Sequence, residues 1–168
     1  VSVENGLSNN FIRKIYKDSR GFTWVGTLNG LDRFDGISFK SYTTDNEQEI
    51  TIYDMIETDP NSLWLGSNNG LWKFSYDSEK LIKTSFSEGK QFLCLGKDSK
   101  NNLIAGTSNG FYIISDEQPR FVPLNYHSEQ QITVQGIYPD ENQTCWLSTS
   151  GGLYFCDYST NEPLLTKY

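Results

Sequence analysis

A single histidine, His127, is the whole imidazole complement of these 168 residues. That rules out a site needing two imidazoles and leaves a His-centred nucleophilic arrangement without support, since the base must itself be oriented by a third group. His127 lies in the polar stretch Asn125-Tyr-His-Ser-Glu-Gln-Gln131 and reads as a solvated loop residue. Four aspartates recur, Asp18, Asp59, Asp98 and Asp140. As a ring of carboxylates they would suit a hard cation or acid chemistry. Each, however, precedes a turn sequence (Ser-Arg-Gly, Pro-Asn-Ser, Ser-Lys-Asn, Glu-Asn-Gln), where an aspartate caps backbone amides two residues on. No catalytic residue, metal site or cofactor is expected.

Cys94, Cys145 and Cys156 form an odd set without CxxC spacing, each within a predicted strand, and read as small apolar packing residues. Cys145 and Cys156 flank one predicted hairpin and could approach each other, so their redox state stays open. Binding chemistry would sit on aromatics and amides, an apolar surface with a few placed polar groups. Trp24, Trp64 and Trp146 fall at one repeated position and are packing residues. Trp72 and Tyr112 break the pattern, at a place where the first copy has Asp32 and the fourth Tyr154. Asn29, Asn69 and Asn109 stand beside hairpin glycines. The candidate ligand positions are therefore Asn29, Asn69, Trp72, Asn109 and Tyr112, although turn formation explains the asparagines equally well.

The elements that must carry these residues follow from a repeat of about 41 residues. Trp24, Trp64, Ile104 and Trp146 stand at intervals of 40, 40 and 42, and Gly30, Gly70, Gly110 and Gly152 keep the same intervals. Gly26, Gly66 and Gly106 follow suit, with Ser148 as the exception. Within each copy an apolar alternating stretch precedes the aspartate: Ile12 and Ile15, Tyr53 and Ile56, Phe92 and Leu95, Val134 and Ile137. It is the first strand. The second carries the large residue and then Gly-Thr or Gly-Ser, where a missing side chain lets adjacent backbone approach. Asn-Gly in three copies, Gly-Gly in the fourth, predicts a tight hairpin with positive φ at both central positions. The third strand starts on Leu31, Leu71, Phe111 or Leu153, and a fourth ends near Tyr42, Phe86, Tyr126 and Tyr168.

Four antiparallel strands per copy predict an all-β fold, a β-propeller of four blades at about 8–46, 47–88, 89–128 and 129–168, with 1–7 as lead-in. A β-sandwich would not explain the strict period. The last copy finishes on a repeat boundary, and rings with this period commonly close at about seven blades. The chain is accordingly expected to be four blades of a larger ring, a closed four-bladed ring being the alternative. Val1 to Glu4 is a candidate strand for the closing blade, and Thr44 to Glu49 a solvated connection. Exposed faces of an open arc would need a second copy or the remaining blades to cover them.

The net charge of −7 and a pI near 4.7, with scattered basic residues, count against nucleic acid or an anionic membrane as partner. No run of 18 apolar residues is present to insert in a bilayer.

The stretch from Gly6-Leu-Ser through Asp18-Ser-Arg-Gly-Phe-Thr-Trp-Val-Gly-Thr-Leu-Asn-Gly-Leu-Asp-Arg-Phe-Asp35 resembles the two-component regulator propeller repeat. The resemblance is strongest in the first copy and weakest in the third, where Ile104 replaces the tryptophan. In that family the repeat builds the extracytoplasmic sensor region of hybrid two-component systems of Bacteroides-type bacteria, ahead of a membrane helix and a histidine kinase. The resemblance implies a periplasmic, non-catalytic segment that senses glycan-derived oligosaccharides and drives a phosphorelay. Rival readings are a protein-interaction propeller and, less supported because no acids, bases or ligands converge, a polysaccharide-active enzyme.

Overall fold

Alternating apolar residues and turn signals organise the chain into sixteen strands among the described residues. The computed structural model describes residues 2–45, 48–124 and 131–168. The strands are β1 (Ile12–Lys17), β2 (Thr23–Thr27), β3 (Gly30–Phe34), β4 (Phe39–Tyr42), β5 (Ile52–Asp59), β6 (Ser62–Ser67), β7 (Gly70–Ser75) and β8 (Lys80–Lys83), continuing with β9 (Cys94–Lys97), β10 (Leu103–Thr107), β11 (Gly110–Ser115), β12 (Gln118–Pro123), β13 (Val134–Pro139), β14 (Thr144–Thr149), β15 (Gly152–Asp157) and β16 (Leu164–Lys167). They form four sheets of four antiparallel strands in plain meander order, β1 to β4, β5 to β8, β9 to β12 and β13 to β16. Each is a propeller blade.

Two compact units contain two blades each, Val1–Gln91 and Phe92–Tyr168. In the first, Trp24, Leu31 and Tyr42 of one blade meet Ile52, Met55, Leu63, Leu65, Trp72, Phe74 and Tyr76 of the next. Trp24 is fully buried, with ring centroids 4.8 Å from Phe74 and 5.7 Å from Tyr42. The second unit packs Cys94, Ile104, Phe111 and Ile113 against Val134, Cys145, Leu147, Tyr154 and Cys156. All three cysteines are buried thiols there, and Cys145 and Cys156 are cross-strand partners. The Cys156 contact, followed by burial, drives the Cys145 thiol far above its usual range, which keeps it protonated and unreactive.

The repeated glycine is a blade-to-blade contact. A Cβ on Gly26 would stand 2.7 Å from Ile52 Cγ2, and one on Gly106 would meet Cys94 Sγ of its own blade at 2.6 Å and Val134 Cγ1 of the next at 2.9 Å. What approaches is thus a first-strand side chain, of the following blade at Gly26 and of both its own and the following blade at Gly106, where the sequence suggested backbone. Ile12, the counterpart of Ile52 and Val134 in register with Thr27, is instead exposed.

Three expectations are corrected. The hairpins after β2, β6 and β10 do not take positive φ at their asparagines. Only the following glycine does, with φ of 128° at Gly30, 108° at Gly70 and 149° at Gly110. A buried hydroxyl makes this possible: Thr27, Ser67, Thr107 and Thr149 donate to the carbonyls of Gly30, Gly70, Gly110 and Gly152 at 3.3, 2.8, 2.9 and 2.7 Å. It also accepts the amide of Asn29, Asn69, Asn109 and Gly151, which fixes the turn without left-handed asparagine. Second, Val3–Asn5 is a single 3-10 turn capped by Ser2, because the Ser2 hydroxyl holds the Glu4 amide and Asn5 reaches back to the Ser2 amide. It is not a strand. Third, the second blade's last strand stops at Lys83, and Phe86 lies in the 3-10 turn Ser85–Ser87. Tyr126 and His127 lie outside the described residues, as does the middle of the Thr44 to Glu49 connection. Thr44 itself is buried and exchanges two hydrogen bonds with the Gln48 backbone.

Candidate functional site

The polar chemistry gathers where the blades of each unit meet at the turn after the first strand. Asp18 caps that turn, its Oδ1 accepting the amides of Arg20 and Phe22 at 3.1 and 2.8 Å. Its Oδ2 accepts the Trp24 indole N–H at 2.7 Å and faces the Tyr76 hydroxyl of the next blade at 3.3 Å. Tyr76 donates at 2.6 Å to Glu57, whose other oxygen accepts the Ser19 amide at 2.9 Å. Asp18 and Glu57 are both buried. Burial first, then the two carboxylates, push the Tyr76 phenol far above its ordinary range, so it stays a protonated donor. The Arg20 guanidinium stacks 4.2 Å over its ring and donates to the Pro60 carbonyl.

The second unit repeats the seam. Asp98 caps its turn through the amides of Lys100 and Asn102 and accepts the Tyr158 hydroxyl at 3.1 Å. Tyr158 is likewise raised, by burial and then by Asp98. The aspartates thus work as turn caps, with differences. Asp59 sits beyond an irregularity in the β5 ladder, so Thr58 takes Asp18's place and accepts the Trp64 indole at 3.0 Å. Asp140 is exposed and caps only the Glu141 amide. No group of three His, Cys, Asp or Glu side chains able to hold a metal occurs among the described residues.

Of the five candidate ligand positions, Asn69 and Trp72 come together. The Trp72 indole donates to the Asn69 carbonyl at 3.1 Å, while Lys83 donates to Asn69 Oδ1 at 2.9 Å, lies 5.7 Å from the Trp72 ring and pairs with Glu88. Asn29, in the same unit, turns instead to Glu49. In the second unit Asn109 accepts the Thr107 hydroxyl, and Tyr112 packs among Phe92 and Phe121, its phenol raised by burial. At the position shared by Trp72 and Tyr112, Asp32 is fully buried and bound by the Ser8 amide, the Ser8 hydroxyl and the Ser41 hydroxyl, which anchors the Gly6-Leu-Ser lead-in to the first blade.

A further cluster lies beside each seam, in the loop after the seam tyrosine. In the first unit Glu79, held in left-handed backbone at φ 51°, pairs with Arg33 at 3.1 Å and Lys40 at 2.5 Å and accepts the Tyr42 hydroxyl. The Lys40 contact holds the Glu79 carboxyl below its usual range. Burial raises Tyr42 to about 12 against the opposing pull of Arg33. In the second unit the corresponding place is an open groove of about 280 Å³ lined by Ser115, Gln118, Arg120, Gln143, Tyr158 and the 159–161 loop.

The seam and loop clusters escape a 41-residue alignment because Tyr76 and Tyr158 occur only in the second and fourth copies. Their own spacing of 82 residues, a two-blade period, is the signal that finds them.

Residues 6–29 match the family model for the two component regulator propeller, so the first blade carries that repeat. A 48-residue stretch is 42% identical to histidine kinase P4 of Formosa agariphila, covering 29% of this chain and 4% of that protein. The fold is similar, with a TM-score of 0.77 and 22% identity, to the extracellular domain of a hybrid two component system from B. thetaiotaomicron, over 90% of this chain and 22% of that one. Virginiamycin B lyase from Staphylococcus aureus has a similar fold at 12% identity and a TM-score of 0.75, over 97% of this chain and 57% of that one. The chain therefore spans a small part of the histidine kinase and of the two component system domain that it matches. None of the helices among the described residues is long and apolar enough to cross a membrane.

Proposed function

We propose, starting from the two-component regulator propeller repeat in the first blade, that this chain is part of the extracytoplasmic ligand-sensing region of a hybrid two-component regulator. Its ligands are glycan-derived oligosaccharides, and it has no catalytic activity of its own. The observation that carries the reading is the repeat at residues 6–29 together with the 42% identity to a histidine kinase over 48 residues. The polar chemistry is consistent with it. The carboxylates of the seams are saturated by turn amides, an indole and tyrosine hydroxyls, and the tyrosines beside them are held neutral, so neither supplies a poised acid or base.

Sensing then works by differential affinity. A ligand that binds one arrangement of the sensor better shifts the population toward it, and the kinase reads that shift across the membrane. The test is a titration of the intact sensor region containing this segment with defined glycan fragments, read by calorimetry and by kinase autophosphorylation. Binding with a change in phosphorylation supports the reading, and neither binding nor a change across a broad panel overturns it.

A further inference from the structure

The two units place their loop clusters on equivalent frames, which makes one a control for the other. Arg120 faces Ile113 across the β11–β12 ladder as Lys40 faces Arg33 across β3–β4. Tyr158 reaches Asp98 as Tyr76 reaches Asp18. After the tyrosine, the first unit's loop supplies Glu79, which neutralises Arg33 and Lys40 from within the chain. The second unit's loop is two residues longer, runs through Ser159, Thr160 and Asn161, and has asparagine at the third place after the tyrosine. Among the described residues, no aspartate or glutamate lines the resulting groove.

Its cations rest on neutral oxygens. Arg120 donates to the carbonyls of Thr160 and Tyr158 at 2.7 and 3.1 Å, and Lys100 at the rim donates to the Gln143 amide oxygen at 2.6 Å. Among the described residues neither makes a salt bridge. Asp98, bonded to Tyr158 of the lining, is committed to that hydroxyl and to its turn amides, and the first unit has the equivalent aspartate, so it does not account for the difference. A planar guanidinium with donors to spare, a missing carboxylate, and the hydroxyl and amide side chains of Ser115, Gln118, Ser159, Thr160 and Asn161 define the ligand chemistry.

We propose that the Arg120 groove is a binding site for a small polyhydroxylated carboxylate, a sugar acid, whose carboxylate takes the place that Glu79 fills in the first unit. Arg120 anchors the carboxylate, and the serine, threonine and amide groups take the hydroxyls. The site stands apart from the sensing role, because its occupancy is read on this chain without any kinase.

The test is amide-resolved NMR of the 168-residue chain titrated with gluconate and glucuronate, with glucose and acetate as controls. Gluconate and glucuronate are expected to shift amides at residues 118–120, 143 and 158–161, with glucose silent and acetate weaker. Arg120→Ala is expected to weaken binding about tenfold or more, the loss of a charge-assisted pair. Asn161→Glu keeps Arg120 and supplies a competing internal carboxylate. It is expected to weaken binding to a similar extent, and it carries the test should Arg120→Ala not fold. Absence of shifts up to roughly 50 mM, well above the millimolar affinity expected of one charged anchor, overturns the proposal. So do equal shifts with glucose, or binding undiminished in both variants.

Discussion

The blade pair in Val1–Gln91 and the pair in Phe92–Tyr168 solve one packing problem with different side chains. The first fills its seam with aromatics: Trp24, Tyr42, Trp72, Phe74 and Tyr76. The second relies on three cysteines, Ile104, Ile113 and Val134, with Phe111, Tyr154 and Tyr158 as its aromatics. Both keep the same polar clasp, a turn aspartate bound by a tyrosine of the next blade. In the first unit the tyrosine also bridges to Glu57. In the second that carboxylate is missing, and Pro139 stands at the corresponding ladder position. The frame tolerates exchange of its apolar filling, whereas the clasp and the hairpin hydroxyls recur because unpaired buried polar groups cost more than an altered apolar contact.

The largest difference should appear when the repeated tryptophan is removed. Trp24 is fully buried and hydrogen-bonded, so Trp24→Ala should cost about 3–5 kcal/mol. Trp146, only partly buried against Phe155 and Tyr168, should cost roughly 1 kcal/mol when truncated. Urea unfolding followed by circular dichroism measures both, and equal losses would erase the distinction between the two positions.

Next is the clasp. Tyr76→Phe strips a donor from a site with two buried carboxylates and should destabilise by about 1.5–3 kcal/mol, whereas Tyr158→Phe, which leaves Asp98 three other donors, should cost about 1 kcal/mol. The same unfolding assay ranks them, and the reverse order would show that Glu57 does not contribute to the seam.

The smallest effect is the acid response of the exposed ion-pair cluster. Glu79 is held below its ordinary value, so its contribution is fully present above the unfolded pKa and is lost as pH falls through the folded one. Below about pH 4.5 the wild-type chain should therefore lose stability faster than Glu79→Gln, and parallel pH curves for the two would remove Glu79 from the account.

Much of the fold was legible because it repeats every copy. The tryptophan and glycine intervals and the aspartate turns place all four blades, and Gly26 marks a close contact that the structure assigns to Ile52. The hairpin type was misread because Asn-Gly suggests left-handed asparagine, while the preceding Thr or Ser hydroxyl holds the turn in another geometry. The clasp and the loop clusters were hidden because they join residues of different blades, 58 and 60 positions apart, and alternate from copy to copy. Asp32 was noted only as what the first copy carries at the place where Trp72 and Tyr112 break the pattern. Its role depends on Ser8, which lies outside the repeat's strands.

If an internal carboxylate is what closes the first unit's loop cluster to ligand, removing Glu79 should open a site there despite the shorter loop. The direct measurement is the gluconate NMR titration of Glu79→Asn. The account predicts a second set of shifted amides around Arg33 and Lys40, absent from the wild-type chain, alongside the Arg120 response. A folded Glu79→Asn chain that responds at Arg120 but shows no new shifts in the first unit would contradict it.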